Sequence, residues 1–199
     1  AGVQVVRSAR EVSPVVEAPG VVTGVTFVAG DERAFAVTAS HVIDGSGDAD
    51  LAAAAGAGFD VGWSAFGVPQ RMADTLVLRV AGVDWRALVK GVRARGRDYA
   101  VAKERVVWGP FGGAPAAYQP SQPGLRLRGL NVGLQDDGTV LINALLIYGL
   151  DPLDPASLEE GRRRALEEGP RIVEHLAAHV PGFARATFAG GAERLYVRE

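Results

Sequence analysis

The stretch that decides the fold is residues 42–56, which read Val-Ile-Asp-Gly-Ser-Gly-Asp-Ala-Asp-Leu-Ala-Ala-Ala-Ala-Gly. The pattern predicts a hydrophobic strand, a glycine-rich turn at residues 45–48 and a short helix capped by Asp48 or Asp50. Glycines let backbone approach a ligand closely, and backbone N–H groups at a helix start suit phosphate. A plain strand–turn–helix connection is an equally good interpretation, because glycine-rich turns before helices are common.

Upstream of this turn, runs of β-branched residues predict an antiparallel sheet. Strands are predicted at residues 3–6, 11–17 and 21–28, and a turn at residues 29–32 leads into a further strand. That strand is predicted to run from residue 34 through residue 43, directly into the glycine-rich turn. The first part of the chain is therefore expected to be rich in β structure.

After residue 62 the pattern changes to alternating helices and antiparallel hairpins. The predicted elements are a strand at 75–80, a helix capped by Asp84, a long loop at 109–124, hairpin strands at 125–134 and 139–148, a helix at 156–179 and a strand at 186–197. The long helix carries a capping-box spacing at Ser157 and Glu160, and Gly169-Pro170 is expected to kink or split it. Its arginines and glutamates, Glu168 included, predict an exposed salt-bridged face.

Composition limits the classes of function. The 199 residues are 48% hydrophobic and 22% charged, with a net charge of −2 and no cysteine. A chain without basic excess or a long apolar run is not expected to bind nucleic acid or a membrane. The absence of cysteine removes disulfides and thiolate metal sites, and it fits a reducing, cytoplasmic setting.

Two other constellations are weak as catalytic or metal sites. His175 and His179 share a helix face, but a zinc site would need a third ligand, so a solvated helix face is favoured and no metal is expected. Ser40, His41 and Asp44 are close in sequence, but no Gly-x-Ser-x-Gly turn surrounds the serine. On a strand, Ser40 and His41 would also point to opposite faces, which disfavours a hydrolase.

Residues 42–56 resemble the second flavin-contacting motif of two-domain FAD-dependent oxidoreductases, with Gly45 and Ser46 standing where Ala and Thr are usual. Further segments are similar to that family in order and spacing. They are Leu76 to Asp84, Val140 to Ala144, Asp151 to Pro155, Val180-Pro181-Gly182-Phe183 and Val197-Arg198-Glu199. Together they cover nearly the whole chain.

The resemblance implies an α+β fold, with a remnant of a flavin-domain sheet at residues 1–62 and a substrate domain at residues 63–199. The second domain would hold a mainly antiparallel sheet and a long helix. Neither the family's Gly-x-Gly-x-x-Gly fingerprint nor its closing FAD segment is found, since Gly56-Ala57-Gly58 follows a helix and lacks the third glycine. The chain is therefore expected to be an internal fragment that needs the rest of its parent chain to complete the FAD site.

The implied function is FAD-dependent oxidation or reduction of a small organic substrate by hydride transfer. The alternative is a non-catalytic binding or structural module that retains only the fold. The residues that the resemblance implies for cofactor binding are Gly45, Ser46, Gly47, Asp48 and Glu11. For Glu11, an exposed carboxylate on a strand is the favoured interpretation. Two side chains remain as catalytic candidates. Asn143 could face flavin or substrate or satisfy a sheet edge, and Arg198, with Glu199, could line the active site or form a structural ion pair.

Overall fold

The computed structural model describes residues 2–60, 62–68 and 71–197. It confirms the α+β class, because two antiparallel sheets are combined with a few helices, one of them long. The chain divides into two compact units, Ala1–Gly67 and Val68–Glu199. This division falls a few residues after the boundary expected at residue 62.

The first unit is built on a three-stranded sheet. Strands β1 (Arg10–Ala18), β2 (Val21–Val28) and β3 (Ala34–Thr38) pair antiparallel in the order β1-β2-β3. Every side chain of β3 is exposed, and those of β1 are exposed apart from the half-buried Pro14. Backbone pairing and β-branched propensity therefore define this sheet more than side-chain burial does.

Two strand predictions in this unit are wrong. Residues 3–6 lie outside any strand, and β3 ends at Thr38 instead of continuing through residue 43. The N–H of Ala39 still donates to the carbonyl of Thr23, but the following residues have no strand partner within the described part of the chain. Ile43 is 91% exposed, so an apolar run alone does not form a strand without a neighbour to hydrogen-bond.

The second unit is a six-stranded antiparallel sheet with two helices. The strand order is β5-β6-β7-β8-β4-β9, which places β7 and β8 at the centre. The strands are β4 (Asp74–Ala81), β5 (Val101–Ala102), β6 (Val106–Gly109), β7 (Leu125–Leu134), β8 (Val140–Ile147) and β9 (Thr187–Gly191). The helices of this unit are α2 (Trp85–Arg95) and α3 (Pro155–His179), whereas the short helix α1 (Asp50–Ala54) belongs to the first unit. The long loop between β6 and β7 contains one short 3-10 turn, Phe111–Gly113.

One face of this sheet forms the core. Leu76, Leu78, Ile142 and Leu145 are fully buried on β4 and β8, and Leu176 of α3 is fully buried as well. Burial of each such side chain contributes about 1.5–3 kcal/mol. The opposite face keeps polar side chains, so the sheet presents one wall to solvent.

The helix ends follow local capping chemistry. The side chain of Asp84 accepts from the N–H of Ala87, as predicted for α2. The capping box predicted at Ser157 and Glu160 does not form, because Ser157 lies inside α3 and its Oγ accepts from the N–H of Asp151. Asp154 caps α3 instead and accepts from the N–H of Ala156.

Helix α3 is continuous across Pro170, so the expected split is wrong. An interior proline costs about 3 kcal/mol, and close packing in the same turn offsets that cost. A Cβ on Gly169 would lie 2.4 Å from the ring of Phe188, which shows how closely the helix approaches β9 here. Ile172 and Val173 are buried in the following turn.

The exposed face of α3 is only partly as predicted. Arg163 pairs with Glu160 and Glu167 on the surface, which confirms the salt-bridged face. The prediction that Glu168 belongs to that exposed face is wrong, because its side chain is fully buried. Its carboxylate accepts hydrogen bonds from the long loop between β6 and β7, which gives a buried charge the donors it needs. Throughout the described residues, no helix combines the length and the apolar character required to cross a membrane.

Candidate functional site

The glycine-rich turn of the first unit is organised by Asp44. Its Oδ1 accepts from the N–H of Ser46 at 2.9 Å and from the Oγ of Ser46 at 2.7 Å, and its Oδ2 accepts from the N–H of Ala52 at 2.9 Å. The hydrogen bonds from Ser46, followed by that from Ala52, lower the pKa of Asp44 to about 2. Asp44 is therefore ionised throughout the neutral range and fixes the loop against the short helix.

The short helix α1 (Asp50–Ala54) is capped differently from the prediction. Neither Asp48 nor Asp50 provides the cap: Ala49 occupies the N-cap position, with a left-handed φ of 55° and no side-chain bond. Asp44 reaches back to the helix from eight residues upstream, and the Oγ of Ser46 accepts from the N–H of Asp50. A left-handed alanine costs about 1–2 kcal/mol, and such strain is concentrated at functional sites.

The turn leaves room for a ligand beside its backbone. A Cβ on Gly45 or Gly47 would meet no atom within 4 Å. Within the described residues, no group accepts a hydrogen bond from the backbone N–H of Gly47 or Asp48. Open space and uncommitted donors fit the approach of phosphate or hydroxyl groups of a ligand.

A groove of about 390 Å³ lies next to this turn. We call it the loop groove, and its lining includes Gly20, Val22, Val42, Asp44 and Gly56. Residues 45–48 follow Asp44 directly but do not line the groove themselves. The predicted cofactor residues are therefore next to the groove in sequence but are not part of its lining, and Asp44 is the residue that connects the turn with the groove.

The structure does not place Glu11 at this groove. Glu11 lies near the start of β1 with a left-handed φ of 53°, where the register between β1 and β2 shifts by one residue. Its side chain is exposed, and it is not among the residues that line the loop groove. An exposed carboxylate at a β-bulge matches the interpretation favoured from the sequence.

Ser40 and His41 are closer than the sequence suggested. Because β3 has ended, they do not point to opposite faces, and the Nδ1 of His41 lies 3.3 Å from the Oγ of Ser40. The strand argument against a hydrolase was thus wrong in its geometry. The conclusion does not change, since the carboxylate oxygens of Asp44 bind Ser46 and Ala52 rather than the imidazole.

The second unit carries a separate groove on the polar side of its sheet. We call it the sheet groove; its volume is about 340 Å³, and its lining includes Thr75, Trp108, Arg128, Asn131 and Asn143. Trp108 pairs with Asn131 across β6 and β7, and Asn131 pairs with Asn143 across β7 and β8. Direct cross-strand partners share one face of a sheet, so these three residues form a row.

A bulge in β7 shapes the groove. Leu127 pairs with Leu145 and Asn131 with Asn143, so β7 uses four steps where β8 uses two. The extra residues bring Gly129 so close to β6 that a Cβ there would lie 2.8 Å from the carbonyl oxygen of Gly109. Bulges of this kind redirect side chains and are frequent beside functional sites.

One buried hydroxyl on a residue that lines the sheet groove has no partner among the described residues. Thr75 is only 4% exposed, and within the described residues its Oγ1 forms no hydrogen bond. A buried hydroxyl without a partner costs about 1–3 kcal/mol. Thr75 is among the residues that line the groove, although its Oγ1 is itself buried from solvent.

Of the two catalytic candidates, Asn143 lies among the described residues and Arg198 does not. Asn143 lies in the sheet groove with its side chain exposed, and its backbone carbonyl oxygen accepts from the Nδ2 of Asn131 at 3.5 Å. Arg198, like Glu199, lies outside the described residues, so its role stays a prediction. Sequence analysis missed Thr75, Trp108 and Arg128, because strand alternation does not reveal a two-residue bulge.

The histidine pair on α3 is committed to local contacts. The Nε2 of His175 lies 2.8 Å from the carbonyl oxygen of Ala114, and the Nδ1 of His179 lies 2.7 Å from the carbonyl oxygen of His175. The two rings stack, with centroids 4.4 Å apart. His179 is exposed as expected, whereas His175 is half-buried against Tyr118 and does not belong to a solvated face.

Comparison with known proteins identifies one matching family. The family model described as FAD dependent oxidoreductase matches residues 1–199, the whole chain. Neither the curated proteins nor the solved structures contain a significant match.

Proposed function

The chain belongs to the FAD dependent oxidoreductase family, whose cofactor is FAD, and we propose that it takes part in the oxidation or reduction of a small organic substrate. The first unit would hold part of the cofactor, and the second would hold the substrate. When bound, the flavin supplies a two-electron acceptor for hydride.

On the cofactor side, the proposal rests on the turn at residues 45–48. Gly45 and Gly47 give backbone access, and the N–H groups of Gly47 and Asp48 are available as donors. The exposed carboxylate of Asp48 would accept from a cofactor hydroxyl, and the ionised Asp44 would keep the turn in one shape. Preorganised donors bind without a further cost of reorganisation.

On the substrate side, the observation that carries the proposal is the row formed by Trp108, Asn131 and Asn143. Amide side chains both donate and accept hydrogen bonds, so the row suits a polar substrate. The indole offers a flat apolar surface that excludes water on one side. Asn143 would orient the substrate, and Arg198 stays a second candidate for that role.

The first unit has open surfaces that agree with a need for further protein to complete the FAD site. In the first unit, side chains on β3 and Ile43 are exposed. We therefore propose that the cofactor site is completed by other segments of the full protein. The first test is an absorbance spectrum of the protein expressed from its complete gene, between about 350 and 500 nm, where oxidised flavin absorbs.

A flavin band that is bleached by an added substrate under anaerobic conditions would support the proposal. If the protein has no band even after incubation with FAD, the chain is a binding or structural module and the oxidoreductase proposal fails.

A further inference from the structure

We propose that the sheet groove binds the carboxylate group of a small organic substrate through Arg128. This inference rests on the proposed function, because it names the substrate class of the same groove. It starts from the charge of the groove lining, which contains the cation Arg128 and no carboxylate.

Arg128 is available to a ligand. Among the described residues it forms no ion pair and no hydrogen bond, and its side chain is exposed on β7. Arg79 and Arg105, which flank the turn between β7 and β8, are instead paired with Asp137 and Asp136. The bulge in β7 thus brings to the groove a guanidinium that no carboxylate of the described residues neutralises.

The neighbouring groups suit a carboxylate better than a bare ion. A guanidinium binds a planar carboxylate through two parallel hydrogen bonds. The amides of Asn131 and Asn143 lie in the same row and can donate to the outer oxygens or to an adjacent polar group. The indole of Trp108, which has the Nζ of Lys103 over its ring at 5.7 Å from the centroid, would contact the apolar part of the same molecule with the surface that it presents to the groove.

Thr75 provides an independent observation on the opposite side of the groove. Its hydroxyl is buried and has no partner within the described residues, and Thr75 is among the residues that line the groove. A ligand that reaches from Arg128 on β7 to Thr75 on β4 would satisfy this atom once rotation about χ1 of Thr75 turns the hydroxyl towards the groove. The ligand is therefore expected to carry a second polar group beyond its carboxylate or its apolar part.

The probe is sodium phenylacetate, which combines a carboxylate with an aromatic ring. Binding is followed by NMR of ¹⁵N-labelled protein without added FAD, through the side-chain signals of Trp108 and Arg128. We expect saturable shifts of both signals, and about tenfold weaker binding of the neutral phenylacetamide. Inorganic phosphate separates the two oxyanion classes, and it is expected to bind more weakly than phenylacetate.

Three variants test the residues. Arg128→Met should weaken phenylacetate binding about tenfold or more. Arg126→Met is the matched control, since Arg126 is exposed on the same strand but does not line the groove, and its binding should be unchanged. Thr75→Val removes the unpaired hydroxyl, so it should keep or raise the thermal midpoint of the free protein without affecting phenylacetate.

For a phenylacetate derivative with a hydroxyl on its ring, however, Thr75→Val should remove the gain in affinity that the hydroxyl brings. Absence of saturable shifts, equal binding of phenylacetamide, tighter binding of phosphate or no effect of Arg128→Met would each overturn the carboxylate proposal. Because the titration needs no flavin, carboxylate binding in a protein that takes up no FAD would instead contradict the proposed function alone.

Discussion

Replacing Glu168 should destabilise the second unit more than any change on the exposed face of α3. Its Oε1 accepts from the hydroxyl of Tyr118 and from the N–H of Ser121 at 2.9 Å, and its Oε2 accepts from the Oγ of Ser121. Glu168 is fully buried, and the Nε of Arg171 lies 3.8 Å away. The carboxylate thus fastens the long loop to α3.

The magnitude follows from the donors left behind. Glu168→Ala leaves the buried Tyr118 hydroxyl without an acceptor, at about 1–3 kcal/mol, whereas the exposed Ser121 can bind water instead. The partner charge, Arg171, is 62% exposed and can be hydrated, so it adds little to this cost. At about 2–4 °C per kcal/mol, a loss of about 1–3 kcal/mol lowers the thermal midpoint by roughly 2–12 °C. The matched control is Glu167→Ala, whose exposed pairs with Arg163 and Gln122 should contribute at most about 1 kcal/mol.

The effect should also depend on pH. Burial raises the pKa of Glu168, but the hydrogen bonds from Ser121 and Tyr118 and the charge of Arg171 outweigh burial, so the pKa lies below its ordinary value of 4.5. Because the pKa of Glu168 is lower in the folded protein than in the unfolded chain, its carboxylate stabilises the fold fully above pH 4.5. This stabilisation is lost as the pH falls through the pKa of Glu168 in the folded protein. The difference in unfolding free energy between the wild type and Glu168→Gln should therefore shrink in acid.

The assay is urea unfolding followed by far-ultraviolet circular dichroism, at neutral pH and at several acidic pH values. If Glu168→Ala costs no more than Glu167→Ala at neutral pH, the buried carboxylate does not hold the loop and the reasoning is refuted.

Two further changes test the loop and the packing. Asp44→Ala should speed hydrogen exchange at the N–H groups of Ser46 and Ala52, which donate to this carboxylate. Because the pKa of Asp44 is about 2, the wild type should keep its protection in mild acid. Equal exchange rates in the wild type and the variant would show that Asp44 does not order the turn. Gly82→Ala should lower the free energy of unfolding, measured in urea, by about 2–4 kcal/mol. The reason is that φ of Gly82 is +74° and a Cβ there would lie 2.4 Å from the carbonyl oxygen of Arg185. A loss below about 1 kcal/mol would contradict the packing at this turn.

Strands with a partner nearby in sequence could be predicted well. The hairpin of β7 and β8 was predicted closely because its Asp-Gly turn and alternation are local signals. The stretch after Thr38 was not, since residues 39–43 have strand composition but no strand beside them. Pro170 shows the same limit in a helix, where packing against β9 outweighs a local breaker.

The candidate site was predictable only in part. The turn at residues 45–48 and Asn143 followed from a family resemblance, and Asn143 does line a groove. The role of Asp44 could have been predicted, because an aspartate side chain often accepts from the backbone N–H two residues later, here that of Ser46. The capping prediction, which considered only Asp48 and Asp50, overlooked this signal. Arg128 and Thr75 depend on a bulge and on burial, and neither is encoded in a local pattern.

The central claim is that the turn at residues 45–48 holds part of FAD, and Gly47→Leu tests it most directly. Gly47 has no positive φ and an open Cβ position, so leucine should fold there but block the approach of the cofactor. Gly58→Leu is the matched control, because Gly58 is equally open in the same unit. The measurement is the ratio of flavin to protein absorbance after purification from the complete gene. We expect flavin to be lost in Gly47→Leu and retained in Gly58→Leu; normal flavin content in Gly47→Leu would contradict the account.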